Sequence, residues 1–303
     1  MHRTGVRMGY FIAGCCILTL LTLSAIFAPL LSPYSPFELH LEQGLSTPSS
    51  SHILGQDKLG RDVLSRVLYG GRISLGCGAA VTIISVSMGI LVGSLAGFFG
   101  GRMDSILMRL VDIVLSFPGI LLAIVMSAIL GPSVLNIIVA LSILGWGGFA
   151  RVIRGQILVA REEDYIVAAI ALGLPSWRVI LRHLLPNVSA PVIVEAAFAM
   201  GHAIVAEASL SFLGLGIQPP MPSWGGMLSD SKAFLLLAPH LVTIPGLLIM
   251  AVVVSFNLLG DFLRDRLAVT GARVAPSIGK ADGAAPSRNH ESGIAKSVVG
   301  LMK

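Results

Sequence analysis

The chain has 303 residues, of which 54% are hydrophobic and only 12% charged, with a net charge of +5. An ordinary soluble domain carries about 25% charged residues, so this composition excludes a soluble enzyme and indicates a chain that crosses a membrane repeatedly. The three cysteines, Cys15, Cys16 and Cys77, sit in apolar runs with neither disulfide nor zinc spacing.

A bilayer core of about 30 Å needs about 20 apolar helical residues, and lipid offers the backbone no other hydrogen-bond partner. Six segments meet that length: residues 9–31, 73–98, 106–130, 134–152, 191–217 and 240–262. The first follows Arg3 and Arg7. It exceeds the roughly 7–15 residues of a signal-peptide core and lacks a small-residue cleavage site, so it reads as an uncleaved span. The loop after it, residues 32–71, opens with Pro33, Pro36 and Pro48 and reads as irregular. Further on, Asp62, Leu64, Val67 and Leu68 predict a short amphipathic helix leading into the second span. That span carries Ser85, Gly89, Gly93 and Gly97, a stripe of small residues on one face. Such a stripe lets a neighbouring helix approach closely, either within the chain's own bundle or from another membrane subunit.

The third span contains Asp112 and, at Pro118, a predicted kink; Pro239 and Pro245 predict further kinks at the sixth. The fifth span holds Glu195, His202 and Glu207. An isolated charge at mid-membrane costs about 2.5–3.5 kcal/mol on insertion scales, so such residues usually face a partner or a water-filled cavity. Glu195 is expected to reach the inner interface. His202 and Glu207 lie deeper, five residues apart and therefore about 140° apart around the helix. Asp112, His202 and Glu207 are the candidates for a pathway or gate, with Glu207 read as structural or gate-forming.

Residues 164–186, DYIVAAIALGLPSWRVILRHLLP, lie between the fourth and fifth spans. Asp164 is a suitable N-cap, and Gly173 supplies a left-handed stop. Pro175 prevents simple continuation, Ser176 caps a second short helix through Leu184, and Pro186 ends it. The expectation is a helix–turn–helix outside the bilayer. Ile166, Val167, Ala168, Ala169, Ile170 and Leu172 make its first helix apolar on more than one face. An apolar patch rimmed by charge suits a docking partner; a helix lying among lipid headgroups is the alternative. The tail from Ala272 is rich in Gly, Ala, Ser and Pro and reads as disordered.

With the N-terminus cytoplasmic, sixteen of the 21 Lys and Arg residues fall inside. The positive-inside rule then places both termini and the 164–186 loop in the cytoplasm. No P-loop, nucleophile elbow or H-E-x-x-H helix is present, and the seven histidines never pair at i, i+4. The sequence therefore implies no intrinsic enzyme, no cofactor, no metal site and no nucleic-acid partner.

The 164–186 loop resembles the EAA loop of ABC importer permeases, whose pattern is EAA-x3-G-x9-I-x-LP. Ala168, Ala169, Gly173, Leu185 and Pro186 match it, Val167 replaces the Glu, and His183 stands at the Ile position. HILGQDKLGRDVLSRVLYGGRISL from His52, RHLLPN from Arg182 and EASLSFLGLGIQPPMPSWGGML from Glu207 resemble the C-type subunit of the dipeptide, oligopeptide and nickel permease family. The resemblance implies an all-α polytopic membrane protein with the six-span fold of type I importer permeases. It implies residues 1–72 as first span and outer loop, 73–271 as permease core and 272–303 as tail. The implied setting is a bacterial inner membrane, with a homologous permease as heterodimer partner, two cytoplasmic ATPases and an extracytoplasmic solute-binding protein. ATP would be hydrolysed on the separate ATPases. The coupling residues carried over are Asp164, Tyr165, Ala168, Ala169, Gly173, Trp177, Arg178, Arg182, His183 and Pro186. The segments around residues 55–66 and 219–228 would face the binding protein and the outer gate. Dipeptides or oligopeptides are the implied cargo, with nickel or another small solute as an alternative. A secondary transporter would need a midplane cluster of polar residues, and the separated ones here supply it poorly. A membrane scaffold would not need a capped inner hairpin.

Overall fold

The computed structural model describes residues 2–274, with side chains from 8 to 267. The chain separates into two compact units, residues 1–267 and 268–303. Of the second, only its opening helical residues are described, so most of the expected disordered tail lies outside the described residues.

Helix α1 (His2–Ile26) gives way at Phe27 to the short α2 (Ala28–Leu31), which carries Pro29 in its first turn. Residues 32–62 are irregular apart from one 3₁₀ turn, Leu41–Gln43, and an isolated bridge between Gln56 and Asp62. Helix α3 (Val63–Phe99) starts where the Asp62 carboxylate accepts hydrogen bonds from the Ser65 N–H at 2.8 Å and Oγ at 2.7 Å. The short helix expected before the second span is thus not separate. It is the first part of a single helix of 37 residues, roughly 55 Å long, and Asp62 is its cap rather than a member. Gly100 and Gly101, with φ of +64° and +55°, end it.

Helices α4 (Gly101–Ser116) and α5 (Gly119–Leu130) occupy the third expected span. They are not a kinked rod but meet at 85°. Pro118 has no N–H to continue the α4 ladder, and Phe117 before it is held extended at φ −85°, ψ 139°. Helix α6 (Val134–Ala160) precedes α7 (Asp164–Ala171) and α8 (Ser176–Val179). One π-helical turn, Ile180–Leu184, joins α8 to α9 (Leu185–Phe212). Helices α10 (Trp224–Ser231) and α11 (His240–Val274) complete the described fold. The fold is all-helical, with no strand among the described residues. Five of its helical segments are long and apolar enough to cross a membrane, and the bent α4–α5 pair makes a sixth if counted as one crossing.

The most extensive helix contact joins α3 to α6. Its seam is the small-residue stripe of α3. A Cβ on Gly89 would lie 2.3 Å from Phe149 Cβ, one on Gly93 2.6 Å from the Ala150 carbonyl oxygen, and one on Gly97 2.9 Å from Ile157 Cγ2. The stripe therefore serves packing within this chain. Gly89→Ala is expected to destabilise the purified protein by about 1–3 kcal/mol through forced separation of the two helices. Gly76→Ala in the same helix meets open space and should leave thermal unfolding unchanged or slightly raised. Equal unfolding temperatures for the two variants would refute the seam.

Candidate functional site: a coupling hairpin, a wall cavity and a loop-end ion cluster

At one end of the bundle α7 turns into α8 through a left-handed cap. Gly173 has φ +79°, its N–H donates to the Ile170 carbonyl at 2.9 Å, and the Leu174 N–H reaches back to the Ala169 carbonyl at 3.2 Å. That pair of bonds is the Schellman arrangement, which satisfies the last carbonyls of α7 and needs a residue at ease with positive φ. Pro175 then blocks further α7 geometry.

The hairpin is fixed from beneath. Ile166 of α7 and Val179 of α8 are fully buried in an apolar cluster with Phe149, Ile153 and Ile157 of α6 and Val188 and Val192 of α9. Its outer face is apolar and bare: Val167, Leu172, Trp177 and Leu181 are 53%, 81%, 60% and 58% exposed. The Arg178 guanidinium sits over the Trp177 ring, 5.3 Å from its centroid. Asp164, Tyr165, Ala168, Gly173, Arg178, Arg182 and Pro186 share that exposure, His183 is half-buried, and Ala169 is buried. Tyr165 Oη is hydrogen-bonded by Asn187 Nδ2.

Three local expectations are corrected. Glu163, not Asp164, occupies the N-cap, and neither side chain caps the helix; Asp164 has already turned into α7. Ser176 lies one residue inside α8, after Pro175. Pro186 does not end the second helix. It stands in the first turn of α9, where no N–H is required and its fixed φ is already helical. The preceding π turn closes with Leu185 N–H to the Ile180 carbonyl, so the hairpin's second arm runs directly into the span.

Two ion pairs brace this end. Arg154 of α6 forks onto Asp104 of α4, with Nη2 2.6 Å from Oδ2, and Arg151 Nη2 lies 2.6 Å from Asp112 Oδ1. Asp112 is thus spent on an exposed pair, worth about 0–1 kcal/mol.

Between α3, α5, α6 and α9 lies a cavity of about 360 Å³. His202 lines it, as does Glu195, while Asp112 and Glu207 do not. Helix α9 begins at Leu185 rather than at 191, so Glu195 stands ten residues into the helix, where it is exposed, as is His202. Glu207, on the opposite side, is fully buried and accepts hydrogen bonds from Ser74 Oγ of α3 at 3.1 Å and from Ser211 Oγ at 2.8 Å. Ser74 Oγ in turn accepts from the Trp224 N–H of α10 at 3.2 Å. Trp224 is nearly fully buried and donates Nε1–H to the Val67 carbonyl at 3.0 Å.

The other end of the bundle holds an ion cluster that sequence reasoning did not single out. Asp57 accepts from Arg61 Nε at 2.7 Å and from the N–H groups of Leu59 and Arg61 at 2.9 and 3.0 Å. Arg66 Nε lies 3.4 Å from the same carboxylate. Asp230 of α10 reaches Lys58 Nζ at 2.8 Å and Arg61 Nη2 at 3.5 Å. Asp57, Arg61 and Arg66 are all more than nine-tenths buried. Gly60, at φ +72°, makes the knot possible, since a Cβ there would stand 1.9 Å from the His40 carbonyl oxygen. The alternation of Asp and Arg between glycines was the available signal, and it reads equally well as a solvated turn. The cluster brings residues 55–66 and α10 together.

A helical bundle with five or six segments long and apolar enough to cross a membrane, carrying an anchored but bare hairpin at one end and a cavity between its helices, is the architecture of a permease subunit. The family model described as binding-protein-dependent transport system inner membrane component matches residues 89–269, and the chain belongs to that family. A second model, the N-terminal TM domain of oligopeptide transport permease C, matches residues 10–48. The chain is 46% identical to the dipeptide transport system permease protein DppC of Alkalihalophilus pseudofirmus over 256 residues, 84% of either chain. It is 43% identical to the glutathione transport system permease protein GsiD of Pectobacterium atrosepticum over 269 residues, 88% of either chain. It is also 43% identical to GsiD of Escherichia coli O157:H7 over 249 residues, 82% of either chain. The family is one of membrane permease subunits working in complexes with ATPase and binding-protein partners, not of enzymes in themselves.

Proposed function

We propose that this chain forms half of the translocation path of an ATP-driven importer for short peptides. In this reading it pairs with a homologous permease in a bacterial inner membrane, with both termini and the α7–α8 hairpin in the cytoplasm. Two cytoplasmic ATPases grip the hairpins of the two permeases, and an extracytoplasmic binding protein delivers solute at the loop end. Dipeptide and glutathione permeases among the relatives support a peptide-like cargo.

One observation carries the coupling role: the bare apolar face of a hairpin whose base is locked into the bundle. Exposed Leu172, Trp177 and Leu181 have no structural work within this chain, and an exposed apolar face rimmed by Arg178 and Arg182 suits a protein cleft. Movement of that face is transmitted through buried Ile166 and Val179 to α6 and α9. Asp164, Tyr165, Ala168 and His183 contribute to the docking edge, Ala169 and Gly173 to the turn, and Pro186 to the junction with the span. Glu207 acts as the tie between α3, α9 and, through Ser74, α10. Asp112 braces α4 against α6, and His202 lies on the path.

The test is association with the ATPases. Leu172→Asp removes apolar contact at the most exposed hairpin position and should lower ATPase co-purification about tenfold or more, the equivalent of about 1.5–3 kcal/mol for one buried aliphatic side chain. Membrane insertion should be unchanged. Unaltered co-purification, together with protection of Leu172 by lipid in a labelling assay, would assign the hairpin to the membrane surface instead.

A further inference from the structure

Glu195 and His202 are both exposed and line one open cavity, and among the described residues neither makes a hydrogen bond or an ion pair. They stand seven residues apart on α9, two helical turns, and hence on nearly the same face. Ala199, Ala203 and Ala206 occupy the rest of that face within the cavity wall, leaving room above the helix. An unpartnered carboxylate inside a membrane span is costly and marks a ligand, ion or water path. The first turn of α5, Gly119 and Ile120, also borders the cavity, so the positive end of that helix dipole lies at its wall. The cavity thus has an acidic group at one place and donors at another, in a mainly apolar lining. Ser85, 2% exposed, lies in the same wall, and its hydroxyl has no hydrogen-bond partner among the described residues.

We propose that this cavity is a transit subsite for a zwitterionic short peptide. The Glu195 carboxylate takes the peptide's α-ammonium group, and His202, with the amino end of α5, takes its α-carboxylate. The proposal rests on the peptide-import reading above and deepens it. Spacing supports it. Seven helical residues separate the two side chains by about 10 Å along the axis, and an extended di- or tripeptide spans about 7–10 Å. A cavity of about 360 Å³ falls within the small-ligand range of about 300–1,000 Å³. A bare metal cation would meet only one carboxylate here, and no group of three or more metal-ligating side chains exists among the described residues.

The experiment uses the whole transporter, reconstituted in proteoliposomes with its partner permease, ATPases and binding protein. Uptake of radiolabelled alanyl-alanine and glutathione is measured beside ATP hydrolysis. Glu195→Gln removes a charge-assisted hydrogen bond and should lower peptide uptake about tenfold. The ATP hydrolysed per peptide carried should rise correspondingly, a ratio that a merely structural role would not move. Glu195→Asp should recover much of the loss, and His202→Ala should lower uptake less than Glu195→Gln. Normal uptake by Glu195→Gln, with the wild type active, would overturn the proposal alone. Joint loss of uptake, ATP hydrolysis and partner-permease co-purification would overturn it by assigning the cavity to subunit contact. A wild-type complex that carries neither peptide would overturn it together with the reading on which it rests.

Discussion

Gly173→Val is expected to stop solute uptake and to release the ATPases while every span still inserts. A Cβ at Gly173 would touch nothing within 4 Å, so the penalty is torsional and not steric crowding from neighbours. Holding an ordinary L-residue at φ +79° costs about 1–2 kcal/mol, and a β-branched one more. The hairpin escapes that strain by reopening the two Schellman bonds, which swings α7 away from α8 and scatters the apolar docking face. Gly173→Asn is the control, because Asn tolerates left-handed backbone; it should retain uptake and ATPase co-purification. Full uptake by Gly173→Val would mean that the turn does not transmit the push.

Asp57→Ala should lower the stability of the purified protein by about 3 kcal/mol or more. Removing one partner of a buried pair strands the other charge, at a typical cost of about 3–5 kcal/mol. Here the Arg61 and Arg66 guanidiniums both lose their nearest carboxylate, and two backbone N–H groups lose an acceptor. Asp230 remains 3.5 Å from Arg61, which holds the loss toward the lower end of that range. Thermal unfolding in detergent reads the change. Arg61→Leu added to Asp57→Ala should restore part of it, since the stranded charge goes too. No recovery in the double variant would place the loss in the N–H contacts instead of the ion cluster.

Apolar length located the spans in the sequence, because lipid demands about 20 residues whatever the neighbours are. The four-residue spacing of Ser85, Gly89, Gly93 and Gly97 gave away a close helix contact, though not that α6 fills it. Gly173 and Pro175 announced the turn through backbone chemistry alone. What escaped depended on distant partners or on a choice between two local outcomes. Pro118 forbids one hydrogen bond, but packing decides whether the chain kinks or turns through 85°. Pro186 can break a helix or open one, and the π turn before it settles which. That single ambiguity hid the start of α9. Asp57, Arg61 and Arg66 gave no sign of a buried cluster because their partner Asp230 lies in α10, four expected spans further along the chain.

The passage of α8 through the π turn into α9 has a mechanical consequence. Ser176–Phe212 is a single run of 37 residues, a beam of roughly 55 Å. Its handle is Trp177, and the bond from Ser74 to Glu207 sets a fulcrum thirty residues away. Glu195 stands twelve residues from that fulcrum, so a stroke of ~5 Å at the handle would carry it ~2 Å. Such gearing would trade distance for force, turning a push at Trp177 into a shorter, stronger displacement at the proposed subsite.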